Sequence, residues 1–184
     1  MKMRYETERL VLEIFTSVKA EAVLQFYLEN RKVFEAYQQE FPPEYYTDSY
    51  QRDMLQGEYN LAVKSVSIRF WVYEKDGAGK IAGTVSLQNI RRGCYQSCEL
   101  GYKFGQAFWG RGYARESILE CLRIAFEELG LHRVEALVLE ENTRSVRLLN
   151  SLGFEWEGRK KQSIKIHGEW KTHELYALVS GMDG

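Results

Sequence analysis

The residues between Leu100 and Arg115 combine glycines and cations where a predicted strand runs through a loop into a predicted helix. Gly110 and Gly112 lack a Cβ, so the loop backbone can approach a ligand closely. The first turn of the helix offers unpaired N–H groups and the positive end of the helix dipole. Arg111 and Arg115 add positive charge. This combination predicts an anion site, and a pyrophosphate is the ligand that fits it best.

Three kinds of phosphate-binding loop are compatible with part of this pattern. A nucleotide P-loop requires G-x-x-x-x-G-K-[ST]. Residues 105–112 have its glycine spacing, but Arg111 replaces the lysine and Gly112 replaces the magnesium-binding hydroxyl. A dinucleotide fingerprint requires G-x-G-x-x-G, and here Arg115 stands at the third glycine, where close helix packing is needed. The third alternative is a loop that binds acetyl-coenzyme A (acetyl-CoA).

Hydrophobic periodicity predicts the elements that position this loop. Strands are predicted over residues 9–15, 67–74, 80–90, 97–104, 132–139, 154–166 and 170–179. Helices are predicted over 18–37, with a candidate break near Asn30, and over 47–64, 110–129 and 142–152. Residues 76–79 are predicted to form a hairpin turn. Antiparallel hairpins followed by a βαβ unit indicate an α+β (mixed α/β) fold, a mixed sheet flanked by helices.

Length and composition narrow the class of protein. The chain has 184 residues, which favours one domain over 1–184, and its net charge of −1 gives no reason to expect direct nucleic-acid binding. Three cysteines, Cys94, Cys98 and Cys121, are a poor disulfide framework and too few for a zinc site, so no metal is expected. No apolar signal core or membrane-length apolar stretch is found. We therefore expect a cytoplasmic protein without a membrane partner.

The loop resembles motif A of the GNAT N-acetyltransferases, [QR]-x-x-G-x-[GA], over residues 107–112, with Ala107 in place of the first Gln or Arg. That departure, together with Gly101-Tyr102 and the run 108–114, resembles the RimJ/RimL group of ribosomal-protein N-terminal acetyltransferases. Residues 142–145 and 148–154 are similar to the family's N-x-x-S and G-F segments, one predicted strand downstream. Segments 7–12, 168–170 and 176–178 also resemble the group, so the likeness covers nearly the whole chain.

The resemblance implies a GNAT fold, with a mostly antiparallel sheet of about seven strands that splays open beside the strand 98–104. It also implies that the pantetheine of acetyl-CoA pairs with that strand, where the Tyr102 N–H or a neighbour could polarise the thioester carbonyl. The alternative interpretation of the glycines is an ordinary tight turn and helix cap. The residues expected to hold acetyl-CoA are Tyr102, Lys103, Phe104, Trp109, Gly110, Arg111, Gly112, Tyr113, Ala114, Arg115, Asn142 and Ser145.

The catalytic candidates also come from the resemblance. Ser145 matches the group's serine near the CoA sulfur, so it is expected to protonate the departing thiolate, while Leu149 occupies the place of the tyrosine that many GNAT members use. The alternative for Ser145 is a serine that bonds its own helix cap, and Asn142 could be that cap, a pantetheine ligand, or both. Glu99, on the strand beside the thioester, is the candidate base; a structural carboxylate and a water relay are the alternatives. The base position of RimL falls near Ile164, which cannot serve.

The acceptor is expected to enter over residues 18–64, where the family places its variable helices. The carboxylates of residues 40–60 outnumber the single cation Arg52, and they are Glu40, Glu44, Asp48, Asp53 and Glu58. They predict an acidic rim that attracts a cationic amine, unless they only form a solvated helix face. Nearby aromatic residues are expected to pack together and in part to line the pocket, and they are Tyr37, Phe41, Tyr45, Tyr46, Tyr50 and Tyr59.

We therefore expect an acetyl-CoA-dependent N-acetyltransferase that acts by direct transfer, because no cysteine, Cys98 included, lies in an evident nucleophile setting. The expected acceptor is a protein N-terminus, such as that of a ribosomal protein, because an α-amine needs less help from a base than lysine does. A small-molecule acetyltransferase acting on a polyamine or antibiotic amine, and a non-catalytic module that binds CoA or a partner, stay as alternatives. Relatives often dimerise, so a homodimer is compatible with the resemblance.

Overall fold

The periodicities described above produce eight strands and four α-helices in the computed structural model, which describes residues 1–36, 41–77 and 79–181. The strands are β1 (Arg4–Glu6), β2 (Leu10–Glu13), β3 (Ile68–Glu74), β4 (Ile81–Arg91), β5 (Ser97–Phe104), β6 (Arg133–Val138), β7 (Glu155–Ile166) and β8 (Glu169–Val179). The helices are α1 (Ala20–Glu35), α2 (Asp48–Val63), α3 (Tyr113–Arg123), which a π-helical turn extends through Glu128, and α4 (Thr143–Ser151).

The described strands form one sheet in the order β1-β2-β3-β4-β5-β6-β8-β7. The neighbours pair antiparallel throughout, except for the parallel pair of β5 and β6. This parallel pair requires a crossover, and α3 supplies it. The predicted mixed, mostly antiparallel sheet is confirmed.

Helices cover both faces of the sheet. On one face, Ile118 of α3 and Leu149 of α4 join a core with Cys98 and Leu100 of β5. On the other face, α1 and α2 pack over Trp71 of β3 in a second core rich in aromatic residues. Side chains alternate along a strand, so the even-numbered residues of β5 face α3 and α4, and its odd-numbered residues face α1 and α2.

Two sequence predictions need correction, and one strand was not predicted. The strand not predicted is β1, whose three residues are too few to show alternation. The candidate break near Asn30 is wrong, because α1 continues to Glu35 and the Asn30 amide donates to the Phe26 carbonyl at 2.9 Å. The third helix begins at Tyr113 rather than near Gly110, because the loop glycines before it have positive φ. The predicted turn at 76–79 includes residue 78, which lies outside the described residues.

Candidate active site

The parallel strands β5 and β6 separate partway along their length. They pair at Ser97 with Arg133, Cys98 with Val134, and Glu99 with Glu135, and their pairing ends there. β5 nevertheless stays paired with β4 as far as Phe104. A gap therefore opens between β5 and β6 after Glu99, and this gap is the candidate cleft.

The backbone of β5 presents hydrogen-bonding groups to this cleft. The Gly105 N–H donates to the Ala82 carbonyl of the neighbouring strand β4 at 2.9 Å. Because an antiparallel ladder alternates, the N–H and C=O groups of Leu100, Tyr102 and Phe104 point away from β4 and into the cleft. The Phe104 carbonyl accepts a bond from the Trp109 indole at 2.8 Å, which agrees with this direction. An extended ligand could therefore pair with Leu100 and Tyr102 as an added strand.

The loop after β5 leaves its backbone accessible. Gly110 and Gly112 have φ of +74° and +79°, values that side-chain-bearing residues rarely adopt. Gly112 is the N-cap of α3, and no side chain caps the helix. A Cβ added at Gly110 would meet no atom within 4 Å. The backbone at Gly110 therefore faces open space directly before α3, and the first-turn amides of α3 lack a side-chain cap, a combination that suits an anion.

A cluster of residues remote in sequence holds this helix start in place. The Glu116 carboxylate accepts bonds from the Thr7 hydroxyl at 2.6 Å and from the Arg9 backbone N–H at 2.9 Å. The Arg9 guanidinium bonds to the same carboxylate at 2.8 Å and donates to the Arg111 carbonyl in the loop at 3.0 Å. Sequence reasoning noticed residues 7–12 only as a resemblance. The structure gives Thr7 and Arg9 a physical role, which is to support the loop.

This cluster makes a pH-dependent contribution to stability. Burial raises the pKa of Glu116, but the hydrogen bonds from Thr7 and Arg9 outweigh it and hold that pKa below its usual range. A carboxyl group whose pKa is lowered by folding stabilises the fold above its unfolded pKa of about 4.3. That stability is lost as the pH falls through the folded pKa.

We expect Glu116→Gln to lower the thermal unfolding temperature at pH 7, and we expect its difference from wild type to shrink as the pH falls below about 4. Thermal unfolding followed by circular dichroism between neutral and acidic pH measures this. Glu155→Gln, an exposed substitution on β7 that touches none of these groups, is the control. A difference that stays constant over the whole pH range would contradict the assignment.

Several loop residues expected to hold acetyl-CoA have their side chains engaged elsewhere. The Tyr113 ring is buried and its hydroxyl bonds to Glu74, which also lies 3.4 Å from the Arg111 guanidinium. The Phe104 side chain is buried in the core. These residues can meet a ligand in the loop chiefly through their backbones. Arg115 is exposed, and Ala114 is partly buried in the first turn of α3.

Lys103 lies on the opposite face of the sheet from α3 and α4. Its ammonium nitrogen is 4.9 Å from the centre of the Tyr27 ring and 5.4 Å from that of Phe34, under α1. Burial there lowers the pKa of Lys103. The alternation of β5 also turns the Lys103 N–H towards β4. This placement puts Lys103 on the face of α1 and α2, across the sheet from Tyr102's side chain.

The start of α4 forms the other side of the cleft. The Asn142 side chain accepts a bond from the Ser145 N–H at 3.2 Å, so it caps the helix. The cap uses the Ser145 backbone, whereas the Ser145 side chain interacts with the Tyr102 hydroxyl. The Tyr102 hydroxyl reaches across from β5 to the Ser145 carbonyl, at 3.5 Å. The Arg144 guanidinium lies 3.7 Å from the centre of the Trp109 ring, which links α4 to the loop.

Glu99 lies where the cleft begins, on the face of α1 and α2. Its carboxylate accepts a bond from the Asn89 side chain at 3.1 Å. Its register partner on β6 is Glu135, which is held by Arg133 at 2.8 Å. Sequence reasoning missed Glu135, because only the register of a parallel pair brings the two carboxylates side by side. Ser145 and Glu99 therefore approach the cleft from opposite faces.

The expected acidic rim is smaller than the sequence suggested. Glu58 forms a partly buried ion pair with Arg69, and Asp48 pairs with Arg52 at 2.5 Å. Glu44 and Asp53 are exposed. Phe41, Tyr45, Tyr46 and Tyr50 form a stacked and edge-on cluster, with Phe41 and Tyr45 stacked at 4.0 Å. Tyr59 packs against the other core. Tyr37 and Glu40 lie outside the described residues.

The cysteines offer little to the chemistry of this cleft. Burial raises the pKa of the Cys98 thiol to about 12, and the pKa of Cys121 is also raised by burial. Within the described ranges, no three His, Cys, Asp or Glu side chains are grouped as metal ligands would be. None of the helices described here is both long enough and apolar enough to span a bilayer.

Comparison with known proteins places these features in context. Residues 9–155 match the family described as "Acetyltransferase (GNAT) domain". The chain is 34% identical over 164 residues to "Probable N-acetyltransferase YjcK" of Bacillus subtilis, covering 89% of this chain and 90% of that protein. It is 30% identical over 180 residues to "[Ribosomal protein uS5]-alanine N-acetyltransferase" of Escherichia coli, covering 97% of this chain and 92% of that protein.

Solved structures share the fold. The ribosomal-protein-S5-alanine acetyltransferase of Vibrio fischeri superposes with a TM-score of 0.92 at 25% identity, covering 98% of each chain. Mycobacterium smegmatis RimJ, solved in complex with CoA-disulfide, superposes with a TM-score of 0.86 at 24% identity, covering 93% of this chain and 82% of that one. At the latter identity the likeness shows the fold alone.

Proposed function

Because the chain belongs to the GNAT family of acetyltransferases, we propose that it transfers the acetyl group of acetyl-CoA to the N-terminal α-amine of a protein, in the cytoplasm. The observation that carries this proposal is the cleft between β5 and β6, which leads directly to the uncapped start of α3. Such a cleft suits a long ligand with a thioester at one end and a pyrophosphate at the other.

The geometry supports specific roles within this cleft. The pyrophosphate would bind the amides of the loop and of the first α3 turn, where a Cβ at Gly110 would meet no protein atom. The pantetheine would pair with the groups that Leu100 and Tyr102 direct into the cleft. The Tyr102 N–H would then polarise the thioester carbonyl as negative charge develops on its oxygen. Asn142 would add a contact from the α4 side.

Acyl transfer needs one proton to leave the amine and one to reach the sulfur. The amine nitrogen attacks the thioester carbon, the C–N bond forms and the C–S bond breaks. Ser145, on the face of α3 and α4, would protonate the leaving thiolate. A nitrogen that starts as an ammonium gives up two protons. Glu99, directly or through water, would accept the proton lost before attack, and the second proton, released as the amide forms, would replace through water the one that Ser145 gives to the sulfur. The placement of these two residues on opposite faces supports an acceptor that arrives from the side of α1 and α2.

Two observations support an α-amine acceptor. The E. coli and V. fischeri relatives are named for acetylating the alanine of a ribosomal protein. In addition, an α-amine has a pKa of about 8 against about 10.4 for lysine, so roughly a hundredfold more of it is neutral at pH 7. A site whose candidate base is a single carboxylate can therefore acetylate an α-amine more readily than a lysine.

A panel of amines tests the acceptor. We expect acetyl-CoA to stabilise the protein thermally, and we expect peptides that begin with Ala, Ser or Thr to gain one acetyl group at the α-amine, as seen by tandem mass spectrometry. The matched control is the same peptide with a blocked N-terminus and an internal lysine. Faster turnover of spermidine or an aminoglycoside would favour the small-molecule alternative. Binding of acetyl-CoA without a product from any amine would favour a non-catalytic module.

A further inference from the structure

The side chain of Asn30 joins α1 to the first residues of the proposed acetyl-CoA loop. Its carbonyl oxygen accepts a bond from the Gln106 N–H at 3.1 Å. Its NH₂ group donates to the Phe26 carbonyl, one turn earlier in α1, at 2.9 Å. Both ends of the amide are therefore engaged, and the side chain is held in one orientation by its own helix.

The absence of a Cβ at Gly105 leaves room for this side chain. A Cβ added at Gly105 would lie 2.9 Å from the Asn30 Oδ1, 3.1 Å from its Nδ2 and 3.3 Å from its Cγ. The φ of Gly105 is −61°, which any residue can adopt. A glycine is therefore needed here for space, because the Asn30 amide occupies the volume that a methyl group would take.

The same short segment is also fixed to the sheet. The Gly105 N–H bonds to the Ala82 carbonyl at 2.9 Å, so one amide ties the chain to the sheet and the next ties it to α1. An open depression of about 390 Å³ is lined by this segment together with Asn30, Lys80 and Ile81. The Gly105 and Gln106 N–H bonds, together with the bond from the Trp109 indole to the Phe104 carbonyl, therefore position the start of the loop.

We propose that Asn30 is a positioning residue for acetyl-CoA, one that sets the start of the loop and connects it to the helix over the acceptor face. This inference rests on the acetyl-CoA site proposed above. Asn30 acts through the loop backbone, because the amides of Gly110, Gly112 and the first α3 turn follow directly from the segment that it holds. Its removal should therefore weaken acetyl-CoA binding more than it slows the chemical step.

Isothermal titration with acetyl-CoA tests this. We expect Asn30→Ala to raise the Kd about three- to tenfold, because the loop amides are then less well placed for the ligand, while kcat at saturating acetyl-CoA stays within about twofold of wild type. Asn30→Asp keeps an oxygen that can accept from the Gln106 N–H, so its Kd should return towards the wild-type value. Gln25→Ala, which removes an exposed amide from the same helix, is the control and should have no effect.

Thermal stability separates this role from a purely structural one. Alanine is a better helix former than asparagine, so Asn30→Ala should not lower the unfolding temperature through α1 itself. Because Asn30→Ala also removes the hydrogen bond to the Gln106 N–H from the free protein, the expected combination is weaker acetyl-CoA binding with an unfolding temperature lowered by only about 2–4 °C. An equal loss of stability and affinity in both Asn30→Ala and Asn30→Asp would overturn the positioning role.

A double-mutant cycle with Gly105→Ala gives the sharpest result. The added methyl group should displace the Asn30 amide, so Gly105→Ala alone should weaken acetyl-CoA binding about as much as Asn30→Ala. The double variant should then bind acetyl-CoA no worse than either single variant, because both substitutions remove the same contact, the one between the Asn30 amide and the Gln106 N–H. Full additivity, or an unchanged Kd for Asn30→Ala, would overturn the inference. A wild-type protein that fails to bind acetyl-CoA would instead overturn the proposed function, and this inference with it.

Discussion

Replacing Gly110 by alanine is expected to weaken acetyl-CoA binding by roughly 30- to 1,000-fold, measured by isothermal titration. The added Cβ would occupy the open space beside Gly110, where we propose that the pyrophosphate binds and where no atom beyond the adjoining residues lies within 4 Å. Losing one or two charge-assisted hydrogen bonds to a pyrophosphate costs about 2–4 kcal/mol, which corresponds to this range. The φ of +74° adds backbone strain of about 1–2 kcal/mol to the folded protein.

Gly93→Ala is a closely matched control for this substitution. Gly93 lies in the turn between β4 and β5 and has a φ of +69°. A Cβ added there would also meet no atom within 4 Å. Both variants should therefore lose a similar amount of stability. Gly110→Ala should lose acetyl-CoA binding in addition, whereas Gly93→Ala should keep it. Equal acetyl-CoA affinities in the two variants would mean that the open space at Gly110 is not where the ligand binds.

Replacing Ser145 by alanine is expected to lower kcat about 100-fold with little change in the Kd for acetyl-CoA. The physical reason is that a positioned proton donor typically contributes about 10²- to 10⁴-fold, and the lower end applies because a thiolate is a good leaving group. The cap of α4 should survive, because Asn142 bonds to the Ser145 backbone N–H and not to its hydroxyl. Steady-state kinetics with a reactive peptide, together with acetyl-CoA titration, measure both quantities.

Ser151→Ala provides the control for Ser145. Ser151 is exposed near the end of the same helix, and its hydroxyl donates to the Leu148 carbonyl at 2.7 Å. The substitution removes the same chemical group from α4 but away from the cleft, so kcat should stay at the wild-type value. If Ser145→Ala kept full activity, the thiolate would have to take its proton from elsewhere, for example from water.

Local sequence patterns were sufficient for most of the architecture. The strand predicted over 97–104 has the same bounds as β5, and the helix predicted after Asn142 is α4 with that residue as its cap. These elements carry strong period-two alternation or a recognisable cap, which depend on neighbours in sequence. β1 was missed because three residues give too short a pattern, and only its pairing with β2 makes it a strand.

In the candidate site, too, some features follow from neighbouring residues and others only from the fold. The glycines and cations of residues 105–115, with the strand before them and the helix after them, indicated an anion site before any coordinates, because helix-end amides and Cβ-free backbone are properties of adjacent residues. The resemblance implied a sheet that opens beside residues 98–104. Only tertiary structure could decide that the separation begins after Glu99, that Lys103 lies under α1, and that Glu58 is paired with Arg69.

The support of the loop likewise depends on the folded chain. Arg9 reaches Glu116 from the opposite end of the sequence, and Asn30 reaches Gln106 from α1. Hydrogen bonds between residues so far apart leave no periodicity or spacing in the sequence, because their geometry is set by how helices and sheet pack. The sequence alone therefore determined which backbone could bind an anion, and the packing of α1 and β2 against the loop decided what holds that backbone in place.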